Sequence, residues 1–183
     1  MLTRIRFGGL GGQGIVMAGS LLGEAATLAG LHAAGSNSYG AAARGTACRS
    51  DVVLSDVRIA YPHVSTADVL AVMSQAALDK YLPGLVPGGV VFADDFSLQR
   101  TPEGKFAFHA VPATHTAVRE FGSRQGANIV LLGVVLGATG AVGRAAVEEA
   151  IRHVVRARFH ETNLRALALG FELGRPLAAG GRS

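Results

Sequence analysis

Two hydrophobic patterns alternate along the chain and predict strands and helices in turn. Residues 68–73 are apolar after the first position, which is typical of a strand buried on both faces. Val147, Ala150, Ile151 and Val154 follow the i, i+3, i+4, i+7 spacing of a helix that packs on one side. This alternation favours an α/β fold, with a Rossmann-like, mostly parallel sheet flanked by helices and with further helices at the C-terminal end.

The same patterns give approximate bounds for each element. Strands are predicted at 3–7, 31–36, 49–55, 68–73, 89–93 and 106–111. Helices are predicted at 13–29, 74–81, 113–121, 126–138, 143–157 and 160–172. We therefore expect one domain over residues 1–173, followed by a Gly-rich tail at 174–183 that is expected to be disordered.

One uncharged stretch, residues 125–143, approaches the length of a membrane span. It contains Asn128 and five glycines and stands alone, so a buried helix is the better interpretation. The N-terminus lacks the basic and then apolar pattern of a signal peptide. We expect a cytoplasmic protein that does not bind a membrane.

Composition and charge narrow the class of partner. Of the 183 residues, 49% are hydrophobic and 16% are charged, which favours a subunit that buries surface against partners over an isolated Ala/Gly-rich core. The net charge is +4, and 15 arginines stand against 2 lysines. The arginines are spread along the chain without interleaved aromatic residues, so nucleic acid is not an expected partner.

The most informative local motif is the glycine turn at residues 9–14, which follows the first predicted strand and opens the first helix. Glycines allow a sharp turn and close approach, and free N–H groups at a helix start favour an anion. The spacing fits the dinucleotide fingerprint, but residues 31–37 lack the acidic residue that would hold a ribose. Arg44 would suit a 2′-phosphate but lies well beyond that strand. A free-standing NAD(P)-binding oxidoreductase is therefore the alternative function, and close helix–strand packing is the non-functional alternative for the glycines.

Several stretches in the same order resemble the gamma subunit of 2-oxoacid:ferredoxin (or acceptor) oxidoreductases. They are residues 9–14, 38–45, 48–55, 68–75, 112–114, 127–130 and 132–133. The likeness covers roughly residues 5 to 170, and within the family the sequence of these motifs is most similar to subunits assigned to 2-oxoglutarate oxidation. Thr46 replaces a common family glycine and restricts the backbone there, and Ala43 stands where a polar or acidic residue is frequent.

The resemblance implies a role in a larger enzyme. That family divides a thiamine-diphosphate enzyme among subunits; the complex uses Mg²⁺ and [4Fe–4S] clusters, and it converts a 2-oxoacid and CoA to acyl-CoA and CO₂. Electrons pass to ferredoxin or another acceptor. This chain lacks the thiamine signature and has one cysteine, Cys48, so it is not expected to hold a cofactor alone. Alpha and beta subunits are the implied partners, and the implied role is structural and close to CoA.

The candidate binding residues for CoA or a partner subunit combine the glycine turn with polar side chains. They are Gly9, Gly11, Gly12, Gln13, Gly14, Ser38, Tyr39, Arg44, Gly45 and Asn128. The turn offers N–H groups, Arg44 a planar cation, and the other side chains neutral hydrogen bonds. Asn128 is alternatively a helix cap, Tyr39 an interface aromatic and Arg44 an ion-pair partner. No catalytic residue or metal ligand is expected in this chain.

Two further features have competing interpretations. Asp94 and Asp95 end a strand at the edge where α/β proteins bind ligands, and one interpretation is a metal-binding or acid–base pair, but no third ligand matches them. The histidines show no metal-binding spacing. Cys48 is either a thiol activated by Arg44 and Arg49 or a small buried hydrophobe, and the second is favoured.

Overall fold

The structure is a computed structural model that describes residues 1–39, 47–61 and 63–180. Its strands are β1 (Leu2–Leu10), β2 (His32–Ser38), β3 (Ala47–Ser55), β4 (Ala67–Val72), β5 (Leu85–Asp94) and β6 (Ala107–Val111). Its helices are α1 (Ile15–Leu28), α2 (Gln75–Tyr81), α3 (Ala113–Phe121), α4 (Ala127–Thr139), α5 (Arg144–Val154) and α6 (His160–Gly174). Short 3-10 helices lie at Leu82–Gly84, Asp95–Ser97, Ala157–Phe159 and Arg175–Gly180.

The six strands form one mixed sheet in the order β2-β3-β1-β4-β5-β6. The pairings of β1 with β4, β4 with β5 and β5 with β6 are parallel, which confirms the mostly parallel α/β expectation. However, β3 lies between β1 and β2 and is antiparallel to both. The second strand is therefore not adjacent to the first, unlike the arrangement in which a dinucleotide-binding fold brings its ribose-binding acid to the glycine turn.

The larger hydrophobic core lies on the face of the sheet that α1 and α3–α6 cover. Alternate residues of β1, such as Ile5 and Phe7, point into it and are almost fully buried. At its centre, α4 is apolar around its whole circumference, which explains the long uncharged stretch in the sequence. In the part of the chain that the structure describes, no helix is long and apolar enough to cross a bilayer.

Helices α4 and α6 pack against each other through facing glycines. A Cβ on Gly133 would lie 2.6 Å from a backbone oxygen of α6, and one on Gly137 would lie 2.7 Å from another. Gly170 and Gly174 make the reciprocal approach, and a Cβ on Gly170 would overlap the carbonyl oxygen of Val130. Side chains at these positions would force the helices apart, so the four glycines fix their separation.

The opposite face of the sheet carries a buried ion pair. The Arg6 guanidinium donates to both carboxylate oxygens of Asp51, at 2.7 and 3.0 Å, and also to the Val64 carbonyl at 2.7 Å. Arg6 is 3% exposed and Asp51 is 1% exposed. Arg49 approaches the same carboxylate at 3.4 Å. The pair thus ties β1 and β3 to the segment that leads into β4.

Most predicted elements are present, with shifted ends. The fifth strand begins at Leu85 rather than at 89 because Pro87 and Gly88 lie in an irregularity of its pairing with β4, where a missing N–H is tolerated. The last long helix extends to Gly174, and a 3-10 helix occupies Arg175–Gly180, where the sequence predicts a disordered tail. The final three residues lie outside the described part of the chain.

Candidate functional site: the glycine-turn cavity

The carboxyl ends of β1, β4 and β5 meet the starts of the following helices around a cavity of about 520 Å³. We call it the glycine-turn cavity. It is lined by Leu10, Gly12, Gln13, Gly14, Met73, Ser74, Asp94, Phe96, Ser97, Thr114, Arg124, Gln125, Gly126, Ala127 and Asn128. Parallel α/β sheets place ligands at this edge, and the volume lies within the ordinary range of small-molecule sites.

The glycine turn has a backbone that side chains would strain. Gly12 has φ of 94° and Gly14 has φ of 72°, both in the left-handed region that glycine tolerates best. A Cβ on Gly12 would meet no heavy atom within 4 Å, so this residue leaves open space beside the cavity. Gly9 differs: a Cβ there would lie 2.7 Å from Gln13 Oε1 and from Ile15 Cγ1. Gly9 therefore serves packing, while Gly12 keeps the cavity wall bare.

Gln13 closes the turn from within. Its Oε1 accepts a hydrogen bond of 2.6 Å from the Leu10 N–H, and its Nε2 donates to the Met73 carbonyl at 2.9 Å. The backbone N–H of Gln13 donates to the Leu10 carbonyl at 3.1 Å. The side chain thus joins the ends of β1 and β4, so its first role is to hold the shape of the turn.

Asn128 connects α4 to the glycine turn. Its Nδ2 donates to the Gly14 carbonyl at 3.0 Å, and a Cβ on Gly14 would overlap the Asn128 amide. The cap of α4 is Gly126, in the left-handed conformation, so the helix-cap alternative for Asn128 is wrong. Asn128 instead fixes the start of α4 beside the start of α1.

Two helix N-termini give this cavity a positive electrostatic character. Helices α1 and α4 have Gly14 and Gly126 as their N-cap residues, neither has a side-chain cap, and neither has an acidic residue in its first turn. The first-turn N–H groups carry the partial positive charge of the helix dipole, although in α4 the Ala127 and Ile129 N–H groups already donate to the Arg124 and Gly126 carbonyls. The side chain of Arg124 adds a full positive charge to the same lining. The arrangement favours an anionic ligand.

Asp94 does not leave a free carboxylate in the cavity. It is 2% exposed, and it accepts hydrogen bonds from the N–H of Thr114, at 3.0 Å, and from the Thr114 hydroxyl. Asp94 therefore caps α3 from the end of β5. The neighbouring Asp95 turns elsewhere, towards His115, at 3.7 Å from its Nε2. The two carboxylates have separate roles within the fold and do not form an acid–base pair.

The remaining predicted residues lie apart from the cavity or outside the described chain. Ser38 ends β2 opposite Arg49 of β3, and Tyr39 follows it with 70% of its surface exposed. Neither residue lines the cavity, although both lie at the same edge of the sheet because Leu10 pairs with Ala47. Arg44 and Gly45 lie outside the described residues, and Gly11 lies within the turn itself.

Cys48 is a buried residue of β3, opposite Gly9 of β1. Burial raises the pKa of its thiol, partly offset by a backbone hydrogen bond. A raised pKa disfavours the thiolate, which agrees with the favoured interpretation as a small buried hydrophobe. Among residues 1–39, 47–61 and 63–180, no group of three or more His, Cys, Asp or Glu side chains is arranged to hold a metal ion.

The structure adds cavity residues that the sequence did not suggest. Phe96 follows the end of β5, and Arg124 lies in the short loop between α3 and α4. The Arg124 guanidinium carbon lies 4.5 Å from the centre of the Phe96 ring. The end of a predicted strand could have indicated Phe96, because ligands bind there. Arg124 carried no such signal, since its loop meets the cavity only through the packing of α3 on α4.

Comparison with known proteins identifies the family. A model of the family described as pyruvate ferredoxin/flavodoxin oxidoreductase matches residues 4–173. The chain belongs to this family. The 2-oxoglutarate synthase subunit KorC of Methanothermobacter marburgensis is 41% identical over 180 residues, covering 94% of this chain and 97% of the relative.

Solved structures agree with this assignment. The keto/oxoacid ferredoxin oxidoreductase gamma subunit of Geobacter sulfurreducens matches with a TM-score of 0.84 and 38% identity, over 94% of this chain and 98% of that chain. The pyruvate oxidoreductase subunit PORC of Thermotoga maritima matches with a TM-score of 0.74 and 27% identity, over 94% of this chain and 96% of that chain. The chain is a gamma-type member of the family, and the gamma-subunit prediction is confirmed.

Proposed function

We propose that this chain is the gamma subunit of a 2-oxoglutarate:ferredoxin oxidoreductase and that its glycine-turn cavity holds the anionic part of CoA. The complex would convert 2-oxoglutarate and CoA to an acyl-CoA and CO₂ and pass electrons to ferredoxin. The observation that carries the CoA assignment is the meeting of two uncapped helix N-termini, at Gly14 and Gly126, beside Arg124. CoA brings a pyrophosphate and a phosphomonoester, and such groups bind at helix N-termini.

The candidate binding residues divide by role in this proposal. Gly12 and Gly14 supply the bare wall and the helix start, while Gly9, Gln13 and Asn128 hold the turn in shape. For Ser38, Tyr39, Arg44 and Gly45 we propose contact with a partner subunit or with the exposed part of CoA. Their neighbours in sequence leave the sheet at the same edge as the glycine turn.

Thiamine diphosphate, Mg²⁺ and the iron–sulfur clusters belong, in this proposal, to the alpha and beta subunits. The fit of this chain to an iron–sulfur cluster is poor, because the sole cysteine is buried in a strand and its thiol pKa is raised. The chain would contribute a binding surface and a rigid scaffold to the complex, and the cytoplasm would be its location. A free-standing NAD(P) enzyme is not favoured, because β3 separates the second strand from the glycine turn.

The test is to place a negative charge in the cavity without changing its shape. Gln125 lines the cavity immediately before the start of α4, and Gln125→Glu introduces a carboxylate there. We expect the KM for CoA of the assembled complex to rise about three- to tenfold, because the added charge opposes the anionic ligand. The KM for 2-oxoglutarate and the subunit stoichiometry should not change.

Gln99→Glu provides the matched control. It makes the same chemical change at an exposed residue that does not line the cavity. A Gln125→Glu complex with an unaltered KM for CoA would refute the CoA assignment. An isolated chain that bound NADPH and never co-purified with larger thiamine-containing chains would refute the subunit assignment.

A further inference from the structure

Phe96 and Arg124 form an aromatic–cation pair on the wall of the glycine-turn cavity. Phe96 lies in the 3-10 helix after β5 and is 42% exposed, which is high for a phenylalanine beside a hydrophobic core. The guanidinium of Arg124 lies over its ring, with 4.5 Å between the guanidinium carbon and the ring centre. The two residues come from different segments of the chain, the 3-10 helix after β5 and the loop between α3 and α4, so the pair exists only in the folded chain.

The charge of Arg124 has no counter-ion within the described chain. Among residues 1–39, 47–61 and 63–180, no carboxylate oxygen lies within 4 Å of its guanidinium nitrogens. Arg119, at the end of α3, contrasts with it, because its Nε lies 2.9 Å from Glu120 Oε1. An exposed arginine that lies over a ring, lines a cavity and lacks a carboxylate partner in the described chain is available to an anion.

The backing of Phe96 keeps the pair facing the cavity. The His115 ring packs edge-on against Phe96, with 5.2 Å between the ring centres. Ser97, the next residue, donates from its hydroxyl to the Met73 carbonyl at 2.7 Å and so anchors the 3-10 helix to the end of β4. Phe96 covers one side of the guanidinium, which leaves its other side and its N–H groups for a ligand.

We propose that Phe96 and Arg124 recognise the phosphorylated adenosine end of CoA, with the 3′-phosphate on the guanidinium edge and the adenine ring against its free face. The inference rests on the proposed function and assigns one end of that ligand to one wall of the cavity. An arginine plane stacks on a nucleobase and its fork pairs with a phosphate, and both groups occur together at this end of CoA. The uncapped starts of α1 and α4 then remain for the pyrophosphate.

The experiment compares CoA with dephospho-CoA, which lacks the 3′-phosphate, in steady-state assays of the assembled complex. The wild-type complex should prefer CoA in kcat/KM by about tenfold or more, since a charge-assisted phosphate contact is lost with dephospho-CoA. In Arg124→Gln the preference should fall to within about twofold through a higher KM for CoA, with kcat unchanged. Arg124→Lys should restore part of it, because the charge remains while the stacked plane is lost.

Phe96→Leu and Arg119→Gln complete the set of variants. Phe96→Leu should raise the KM for both CoA and dephospho-CoA about threefold, because it removes the aromatic ring that supports the guanidinium without removing the charge. Arg119→Gln alters an exposed arginine outside the cavity and should leave the preference intact. Equal thermal stability of the variants would separate this role from a purely structural one.

Two results would overturn the inference. One is a wild-type complex that uses CoA and dephospho-CoA equally, and the other is full discrimination retained in Arg124→Gln. If Gln125→Glu weakens CoA binding while Arg124→Gln keeps the preference, the proposed function stands and this inference fails. If neither substitution changes the KM for CoA, both fail.

Discussion

The substitution Gly170→Ala tests the packing of α4 against α6 directly. A Cβ at this position would overlap the Val130 carbonyl oxygen and lie 2.8 Å from the Gly133 Cα. Both obstacles are backbone atoms, which cannot rotate away, so the two helices must separate. Overpacking of this kind costs about 1–3 kcal/mol, and a backbone obstacle favours the upper end of that range. The higher helix propensity of alanine offsets about 1 kcal/mol of this cost, so the free energy of unfolding should fall by roughly 2 kcal/mol.

Gly23→Ala is the matched control, because Gly23 is also inside a helix and a Cβ there would meet nothing within 4 Å. Only the propensity gain remains, so this variant should be stabilised by about 0.5–1 kcal/mol. Urea denaturation and thermal melting of the purified chain would measure both changes. For a chain of this size, Gly170→Ala should lower Tm by about 4–8 °C, and Gly23→Ala should raise it by about 1–4 °C. If Gly170→Ala were as stable as the wild type, the close glycine contact would not fix the helix separation.

Two further predictions concern buried charge. Asp51→Asn leaves the buried Arg6 without its counter-ion and should lower the free energy of unfolding by about 3–5 kcal/mol in urea denaturation. Glu148→Gln breaks the exposed pair with Arg144 and should change the free energy of unfolding by less than about 0.5 kcal/mol. Similar losses in the two variants would contradict the burial argument. Burial raises the pKa of Asp95 above its ordinary value, and no donor in the described chain hydrogen-bonds its buried Oδ1. Protonation of Asp95 is therefore easier in the folded state, so the stability of the fold falls as pH rises from the ordinary Asp range through the raised pKa. Asp95→Asn should be more stable than the wild type at pH 7 and should lose this dependence of Tm on pH in melting experiments. An unchanged dependence of Tm on pH would exclude Asp95 as its source.

The fold was predictable where a local pattern determines structure. The continuous apolar run at 68–73 became the central strand β4, and the uncharged stretch at 125–143 became a helix buried on all sides. The direction and position of β3 were not predictable in the same way. Periodicity reports which residues are buried but not which strand lies alongside, and the insertion of β3 between β1 and β2 depends on long-range pairing.

The sequence predicted where the site lies in the fold better than it predicted which side chains make contacts there. The motif at 9–14 correctly located the turn at the carboxyl edge of the sheet, since strand, glycine turn and helix form a local unit. The use of the Gln13 and Asn128 amides inside the fold depends on Met73 and Gly14, which the sequence does not show to be neighbours. Arg124 reached the cavity through the packing of α3 on α4, and no pattern near residue 124 reports that packing.

The central position of β1 affects how the nascent chain can fold. Both of its partner strands are synthesised later: β3 ends at Ser55 and β4 ends at Val72. At about 5–20 residues per second, the synthesis of β1 ends roughly two to nine seconds before the synthesis of β3 ends. The β2–β3 hairpin is the local unit, so we expect it to form first and then recruit β1 along its free edge. Ribosome-bound chains truncated before residue 55 should leave β1 sensitive to protease, and protection of β1 in such chains would contradict this order. Until then, the strand that carries the glycine turn remains exposed to chaperones and to aggregation.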